Sequence, residues 1–190
     1  MSATSNPFGF RPAYHPTGND RGSLYTIASG YNTAIYKGQP VLLASTGVIQ
    51  AAGAAADILG HFAGCEYQDA ATGKWIESPN WPANQAVVSG SVIRAWVWDD
   101  PNVVYEVQAD GSVAQSAVGS QADVSNATAN TGTGLSQATL GTTGSLTNSG
   151  QAQYRIVGFG QALDNAVGDA FTVVQVKIAR HQFVANKVAV

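Results

Sequence analysis

The sequence has few charged residues. Only 11% of its 190 residues are charged, against about 25% in an average soluble protein. Its basic side chains are scattered, and the formal net charge is −3, so it lacks the clustered cations that binding to nucleic-acid phosphates requires. We therefore expect no nucleic-acid partner. A surface with so little charge suits a protein that is held in a permanent assembly.

The sequence also lacks disulfide partners and long apolar runs. Cys65 is its single cysteine, which excludes an intramolecular disulfide framework. No segment approaches the roughly 18 consecutive apolar residues of a membrane span, and no basic start followed by an apolar run marks a signal peptide. We expect a protein made in the cytoplasm, with no membrane partner.

Long amphipathic helix patterns are missing as well, whereas strand patterns recur. Residues 40–44 and 48–50 predict a hairpin around a glycine-bearing turn. Residues 58–67 contain Gly60 and Gly64 among apolar residues, which favours a bulged strand with closely approaching backbones. The sequence predicts a mainly β fold, in the form of a single β-sandwich or barrel-like domain.

The clearest strand pattern covers residues 91–98. Its small apolar side chains Ile93, Ala95 and Val97 alternate with Val92, Arg94, Trp96 and Trp98, so one face is expected to enter a core. The turn Asp99-Asp100-Pro101-Asn102 follows, and residues 103–107 are expected to return as the partner strand. The tryptophan-bearing face is too large to be left in water without a reason.

The amino-acid composition changes along the chain and divides it into an arm and a domain. We expect residues 1–22 to form an extended N-terminal arm and residues 23–190 to form the β-rich domain. Within that domain, residues 111–153 are rich in Ser, Thr and Gly, and Asp123 is the only charged residue among them. This segment is either a solvated linker or a long loop pinned by its scattered apolar residues.

Residues with catalytic or metal-binding chemistry are sparse. His61 and Cys65 are four apart, so a regular strand would place both on one face. No further ligand completes a zinc site around this pair, and no nucleophile or phosphate-binding motif occurs. Cys65 is most simply a buried small apolar residue and His61 a hydrogen-bonded polar one. We predict no catalytic residue, no metal site and no cofactor.

Four tryptophans are candidates for an interface. They can belong to a core, to a contact with another protein, or to a platform that stacks on sugar rings. The sequence leaves these three uses open. The residues are Trp75, Trp81, Trp96 and Trp98.

Several short stretches, taken together and in order, resemble one family of proteins. The opening stretch, residues 6–16, reads Asn-Pro-Phe-Gly-Phe-Arg-Pro-Ala-Tyr-His-Pro. It is similar to the N-terminal arm of the structural cement proteins that decorate the capsids of tailed bacteriophages. Further similar stretches are residues 36–41, 59–67, 96–105, 133–136 and 155–159. None of these stretches is a catalytic or ligand-binding motif, so the resemblance depends on the set as a whole.

The resemblance implies a non-enzymatic structural protein of the virion. It implies a β-rich homotrimer that binds the major capsid protein on the outer surface of a phage head and stabilises contacts between capsid subunits. Aromatic residues gain little by remaining in water, so we expect the arm to contact the capsid. Deletion of residues 1–16 is expected to leave a folded trimer that binds the capsid more weakly. The predicted contacts are Phe8, Phe10, Arg11, Tyr14 and His15.

Two other functions remain open from the sequence. One is a carbohydrate- or receptor-binding module of a phage virion that uses the tryptophans. The other is an enzyme built on Cys65 and His61, a hydrolase or a weak metal site.

Overall fold

The computed structural model describes residues 2–18, 21–126, 129–142, 146–147 and 151–184. These residues are mainly β, which confirms the predicted fold class. They contain one short 3-10 turn at Gln115–Ala117 and many short strands. The strands are β1 (Arg11–Tyr14), β2 (Ser23–Ile27), β3 (Ile35–Tyr36), β4 (Pro40–Leu43), β5 (Ile49–Ala51), β6 (Gly60–Gln68), β7 (Trp75–Ser78), β8 (Asn80–Trp81), β9 (Ile93–Trp98), β10 (Val104–Gln108), β11 (Gln121–Ala122), β12 (Val124–Asn126), β13 (Ala129–Asn130), β14 (Leu135–Ser136), β15 (Thr139–Leu140), β16 (Tyr154–Phe159) and β17 (Val173–Ile178).

Most strands belong to two antiparallel sheets. The six-stranded sheet has the order β2-β9-β6-β4-β5, with β7 pairing to the far half of β6. The five-stranded sheet has the order β1-β10-β17-β16-β11. Short ribbons β3-β8, β12-β15 and β13-β14 lie beside them. His61 of β6 and Trp98 of β9 pack against the apolar cluster of the five-stranded sheet, which gives a sandwich-like arrangement.

The structure confirms the predicted hairpin and the predicted bulge. Strands β4 and β5 pair with Leu43 opposite Ile49. In β6 the pairing with β9 shifts register between Phe62 and Gly64. At Gly60 the backbones approach so closely that an added Cβ would lie 2.2 Å from the Trp98 carbonyl oxygen.

The predicted partner of the tryptophan strand is wrong. Strand β10 follows β9 in the chain but pairs with β1 and β17 in the other sheet. Strand β9 instead pairs with β2 and β6. The turn at residues 99–102 therefore carries the chain from one sheet to the other, because β9 already has a neighbour on each side.

Each large sheet has its own apolar core. The six-strand core lies on the face of β9 that carries Ile93, Ala95 and Val97, as the alternation predicted. The five-strand core lies under β10, β16 and β17 and includes Tyr105 and Tyr154. Full burial of a large apolar side chain stabilises a fold by about 1.5–3 kcal/mol. The many buried side chains of the two clusters together stabilise the packing of these short strands.

The described part of the polar segment 111–153 packs against the five-strand core. Val124 and Leu140 are buried there, and Leu146 packs against the same cluster. Its polar side chains replace missing ladder bonds: the Ala152 N–H donates to Gln121 Oε1 at 2.9 Å, and the Val124 N–H donates to Gln153 Oε1 at 2.9 Å. A buried backbone amide needs such a partner, which explains a core lined with glutamine.

Candidate interaction surface

The N-terminal arm is part of the fold rather than a free extension. Strand β1 forms an edge of the five-stranded sheet, with Arg11 opposite Glu106. The Phe10 N–H donates to the Gly38 carbonyl at 2.9 Å, and Gly38 has φ +80°. An added Cβ on Gly38 would lie 2.7 Å from the Phe10 carbonyl oxygen, so only glycine allows the arm to lie this close.

Phe10 fills the junction between the two sheets. Its ring stacks on His61 of β6 at 4.7 Å and on Tyr154 of β16 at 4.4 Å, measured between ring centroids. His61 in turn lies 4.1 Å from the ring of Tyr105 in β10. Phe10 has no exposed surface. The prediction that Phe10 contacts a partner is therefore corrected: its partner surface is the core of its own chain.

His61 is a neutral, buried member of this junction. Its Nε2 atom lies 2.8 Å from the Tyr154 hydroxyl. Burial, followed by the effect of nearby His181, lowers the pKa of His61 to about 3. Because charging it inside an apolar cluster is costly, His61 holds the two sheets together as an uncharged ring.

Cys65 does not form a pair with His61. The bulge in β6 inserts one residue, so Cys65 faces the six-strand core while His61 faces the five-strand core. The expectation that both share a face is wrong, because it assumed a regular strand. Burial raises the pKa of the Cys65 thiol to about 12, and its S–H donates to the Asn80 carbonyl at 3.4 Å. Burial and the raised pKa therefore keep Cys65 as a protonated thiol.

The other predicted arm contacts differ in how much surface they present. Tyr14 is 51% exposed. Arg11 bonds Glu106 at 2.7 Å, and its guanidinium carbon lies 4.6 Å from the ring centroid of half-buried Phe8. The His15 side chain is largely buried, with Nε2 at 3.2 Å from an Asp100 carboxylate oxygen. The arm thus offers Phe8, Arg11 and Tyr14 to a partner, and His15 mainly fixes the end of β1.

Two of the four tryptophans are placed for contact, and two serve the fold. Trp81 is fully buried in the six-strand core, where its indole N–H donates to the Tyr31 carbonyl at 3.1 Å. Trp81 was a possible interface residue from the sequence, and the structure places it in the core instead. Trp98 is partly buried against the five-strand core. Trp75 is 49% exposed and Trp96 is partly exposed.

Trp75 and Trp96 share the outer face of the six-stranded sheet with two aliphatic residues. Leu24 of β2 lies opposite Trp96 and is 58% exposed. Val92, just before β9, is 53% exposed. We call this surface the tryptophan face, defined by Leu24, Trp75, Val92, Arg94 and Trp96. Large apolar side chains exposed side by side are typical of a contact surface.

The tryptophan face contains one internal ion pair. Arg94 bonds Glu66 of β6 at 3.0 Å, and its guanidinium carbon lies 5.1 Å from the ring centroid of Trp75. An arginine engaged in this way covers one side of the indole. Glu77 of β7 lies opposite Glu66 and is exposed. The face therefore presents apolar side chains together with an ion pair and a further carboxylate.

Sequence reasoning found most of this face but missed Leu24. The alternation in residues 91–98 already placed Val92, Arg94 and Trp96 together. Leu24 joins them only through the pairing of β2 with β9, and no local signal in residues 23–27 identifies that neighbour. Hydrophobicity alone could not separate Trp81 from Trp75 either, because both stand beside turn residues.

The part of the chain that the structure describes shows neither a metal-binding cluster nor a membrane-spanning helix. That part holds no group of three or more His, Cys, Asp or Glu side chains able to bind a metal ion. None of its helices has the length and apolar character needed to cross a membrane. Comparison with family models, curated proteins and solved structures found no match for this chain.

Proposed function

We propose that this chain is a non-enzymatic capsid cement protein. In this role it binds as a homotrimer to the major capsid protein on the outer surface of a phage head and stabilises contacts between capsid subunits. The tryptophan face is the observation that carries the proposal, since several large exposed apolar side chains on one sheet face suit a lasting protein contact. The resemblance of the opening stretch and of the shorter stretches to cement proteins supports the choice of partner.

The contacts that a cement protein must make agree with the aromatic side chains exposed on this chain. A cement protein adds contact area across joints between subunits, and a symmetric trimer multiplies each weak contact by avidity. Trp75 and Trp96 supply a large contact area. Each side chain has few rotatable bonds, so little conformational entropy is lost when a partner binds it. Tyr14, at the end of β1, adds an aromatic residue on the other sheet.

The proposal is tested with purified protein and undecorated phage heads. Occupancy is measured by sedimentation with the heads, and subunit number by light scattering after size exclusion. We expect a trimer that binds the heads at a fixed stoichiometry. Trp96→Ala and Leu24→Ser are expected to lower occupancy, because they remove apolar contact area. Leu163→Ser is the matched control, since Leu163 is fully exposed in the turn after β16 of the other sheet.

Carbohydrate binding is the alternative that the same variants distinguish. Arg94 already lies over the Trp75 ring, so that indole offers less free surface to a sugar. Binding to a glycan array that is lost in Trp96→Ala, without binding to heads, would replace the cement proposal with a receptor-binding one. Equal head occupancy by the wild type, Trp96→Ala and Leu24→Ser would remove the tryptophan face from the proposal.

A further inference from the structure

An open groove lies beside the tryptophan face, between strands β9 and β7. It has a volume of about 470 Å³. Trp96 of β9 lies opposite Gly64 of β6, and because Gly64 has no side chain, the groove stays open beside the indole. Glu77 and Ser78 of β7 line its other side, and Lys37 also contributes to the lining. The groove therefore continues the tryptophan face toward β7.

Two glutamates face each other at this part of the sheet. Glu66 of β6 lies directly opposite Glu77 of β7, and like charges in that position destabilise a sheet. Arg94 forms an ion pair with Glu66 at 3.0 Å. In the described part of the chain, no Lys, Arg or His nitrogen lies within 4.0 Å of a Glu77 carboxylate oxygen. Glu77 is exposed, so its carboxylate is available to a partner.

The same sheet face already shows how an arginine is held there. The Arg94 guanidinium carbon lies 5.1 Å from the Trp75 ring centroid, while its Nη1 atom bonds Glu66. A planar guanidinium can lie against an indole and donate to a carboxylate at the same time. Trp96 and Glu77 offer the same two groups across the groove. Arg94 is the only arginine of β6, β7 and β9, so this second Trp–Glu pair has no arginine from its own strands.

Lys37 is the one cation among the described residues that line the groove. Its Nζ atom lies 5.9 Å from the ring centroid of Trp98, at the end of β9, and it forms no ion pair with Glu77 in the part of the chain that the structure describes. Water and salt screen the repulsion between Lys37 and a partner cation at Glu77, since both side chains are exposed. Removal of the lysine charge should therefore favour a cation in the groove.

We propose that this groove binds an arginine side chain of a partner protein, with the guanidinium between Trp96 and Glu77. Arginine fits better than lysine, because its planar group can bond a carboxylate through two N–H donors and stack on an aromatic ring, whereas an ammonium is a strongly hydrated point charge. Arginine is also common among the residues that dominate protein contacts. The inference rests on the proposed function for the identity of the partner, since a capsid protein that covers the tryptophan face also covers this groove.

The test uses the full chain and two short peptides that are capped at both ends. The first carries an arginine between leucines, and the second has citrulline, an uncharged isostere, in place of the arginine. Binding is followed by NMR through the indole N–H signals, and the Trp96 signal is identified by its loss in Trp96→Phe. We expect the arginine peptide to shift the Trp96 signal to saturation and to leave the signal of buried Trp81 in place. The citrulline peptide should bind at least about fivefold more weakly, which corresponds to about 1 kcal/mol.

Variants locate the binding in the groove. Glu77→Gln is expected to weaken the arginine peptide about fivefold, because it removes the carboxylate charge and keeps the size of the side chain. Glu106→Gln is the matched control, since it removes the same charge from the other large sheet, and it should bind the peptide like the wild type. Lys37→Gln should bind the peptide at least as tightly as the wild type. A circular dichroism melt of each variant shows that the fold is kept.

Each other outcome overturns the proposal. It fails if the arginine peptide leaves the Trp96 signal unchanged, or if the two peptides bind equally. It also fails if Glu77→Gln binds like the wild type, if Glu106→Gln loses as much affinity as Glu77→Gln, or if Lys37→Gln weakens binding. Tighter binding of maltotriose than of the arginine peptide would assign the groove to a sugar. Sedimentation with phage heads is read separately: a wild-type protein that binds the arginine peptide at Glu77 but binds no heads would overturn the proposed function alone.

Discussion

At the scale of the residue, Phe10 connects the two large sheets. It stacks on a side chain from each large sheet, His61 in β6 and Tyr154 in β16. We expect Phe10→Ala to lower the free energy of unfolding by about 3–5 kcal/mol, since it removes a fully buried ring and leaves a cavity. Urea unfolding followed by tryptophan fluorescence measures this loss.

Phe8→Ala is the control for that measurement. Phe8 is only half-buried, and its ring lies beside the Arg11 guanidinium at the surface. Its removal is expected to cost about 1 kcal/mol or less. Similar losses for the two variants would contradict the position of Phe10 at the sheet junction.

His61 sets a pH dependence whose sign follows from its burial. In the unfolded chain the pKa of His61 is near its ordinary value of 6.5, and in the folded protein burial lowers this pKa to about 3. Between these values the unfolded state binds the extra proton, so the contribution of His61 to stability is present above about pH 6.5 and is lost as pH falls toward 3.

His61→Phe provides the measurement of that contribution. The variant keeps an aromatic ring beside Phe10 but cannot be protonated. We expect the urea midpoint of the wild type to fall more steeply than that of His61→Phe as pH decreases from 6.5 to 4. Parallel curves would show that carboxylate titration alone accounts for acid sensitivity.

At the scale of the element, strand β6 shows how much local sequence can predict. Gly60 and Gly64 predicted a bulged strand with a close backbone approach, and both features occur. The consequence of the bulge for His61 and Cys65 was not predictable, because the sequence does not show at which residue the register shifts. The partner of β9 was missed for a similar reason: strand pairing depends on contacts distant in sequence.

Gly60→Ala tests the close approach directly. The new Cβ would lie 2.2 Å from the Trp98 carbonyl oxygen, so β6 and β9 must move apart. We expect a loss of about 1–3 kcal/mol in the free energy of unfolding, as for an overpacked core. Gly53→Ala is the matched control, because an added Cβ there meets no atom within 4 Å; it should lie within about 0.5 kcal/mol of the wild type. Equal melting temperatures for both variants would contradict this account of β6.

At the scale of the whole molecule, the arm and the domain behave as one unit. Amino-acid composition separated residues 1–22 from the rest of the chain, because an extended stretch of prolines and aromatic residues is typical of an arm. Its docking depends on Gly38 and on the pocket between His61 and Tyr154, and these partners are distant in sequence. Only the assembled fold reveals that the arm also completes a core.

The expected effect of truncation changes accordingly. Deleting residues 1–16 removes Phe10 and the edge strand β1, so we now expect a loss of at least about 3–5 kcal/mol, where sequence alone predicted a folded trimer. Circular dichroism melts and size exclusion of the truncated protein measure this. Tyr14→Ser is the control, because it alters an exposed arm residue and should keep the wild-type melting temperature. A truncated protein as stable as the wild type would restore the independent arm.

The docking of Phe10 also has a consequence for the order of events during synthesis. The ribosome makes Phe10 well before Tyr105 and Tyr154, the side chains that enclose it together with His61. The segment must therefore wait until most of the chain has emerged, and contacts between distant residues form slowly. During that interval the N-terminal segment of a neighbouring copy can insert its Phe10 between the same side chains. Such an insertion exchanges strands between chains, as in domain swapping. Translation speed and local crowding of copies thus become variables that influence how this protein assembles.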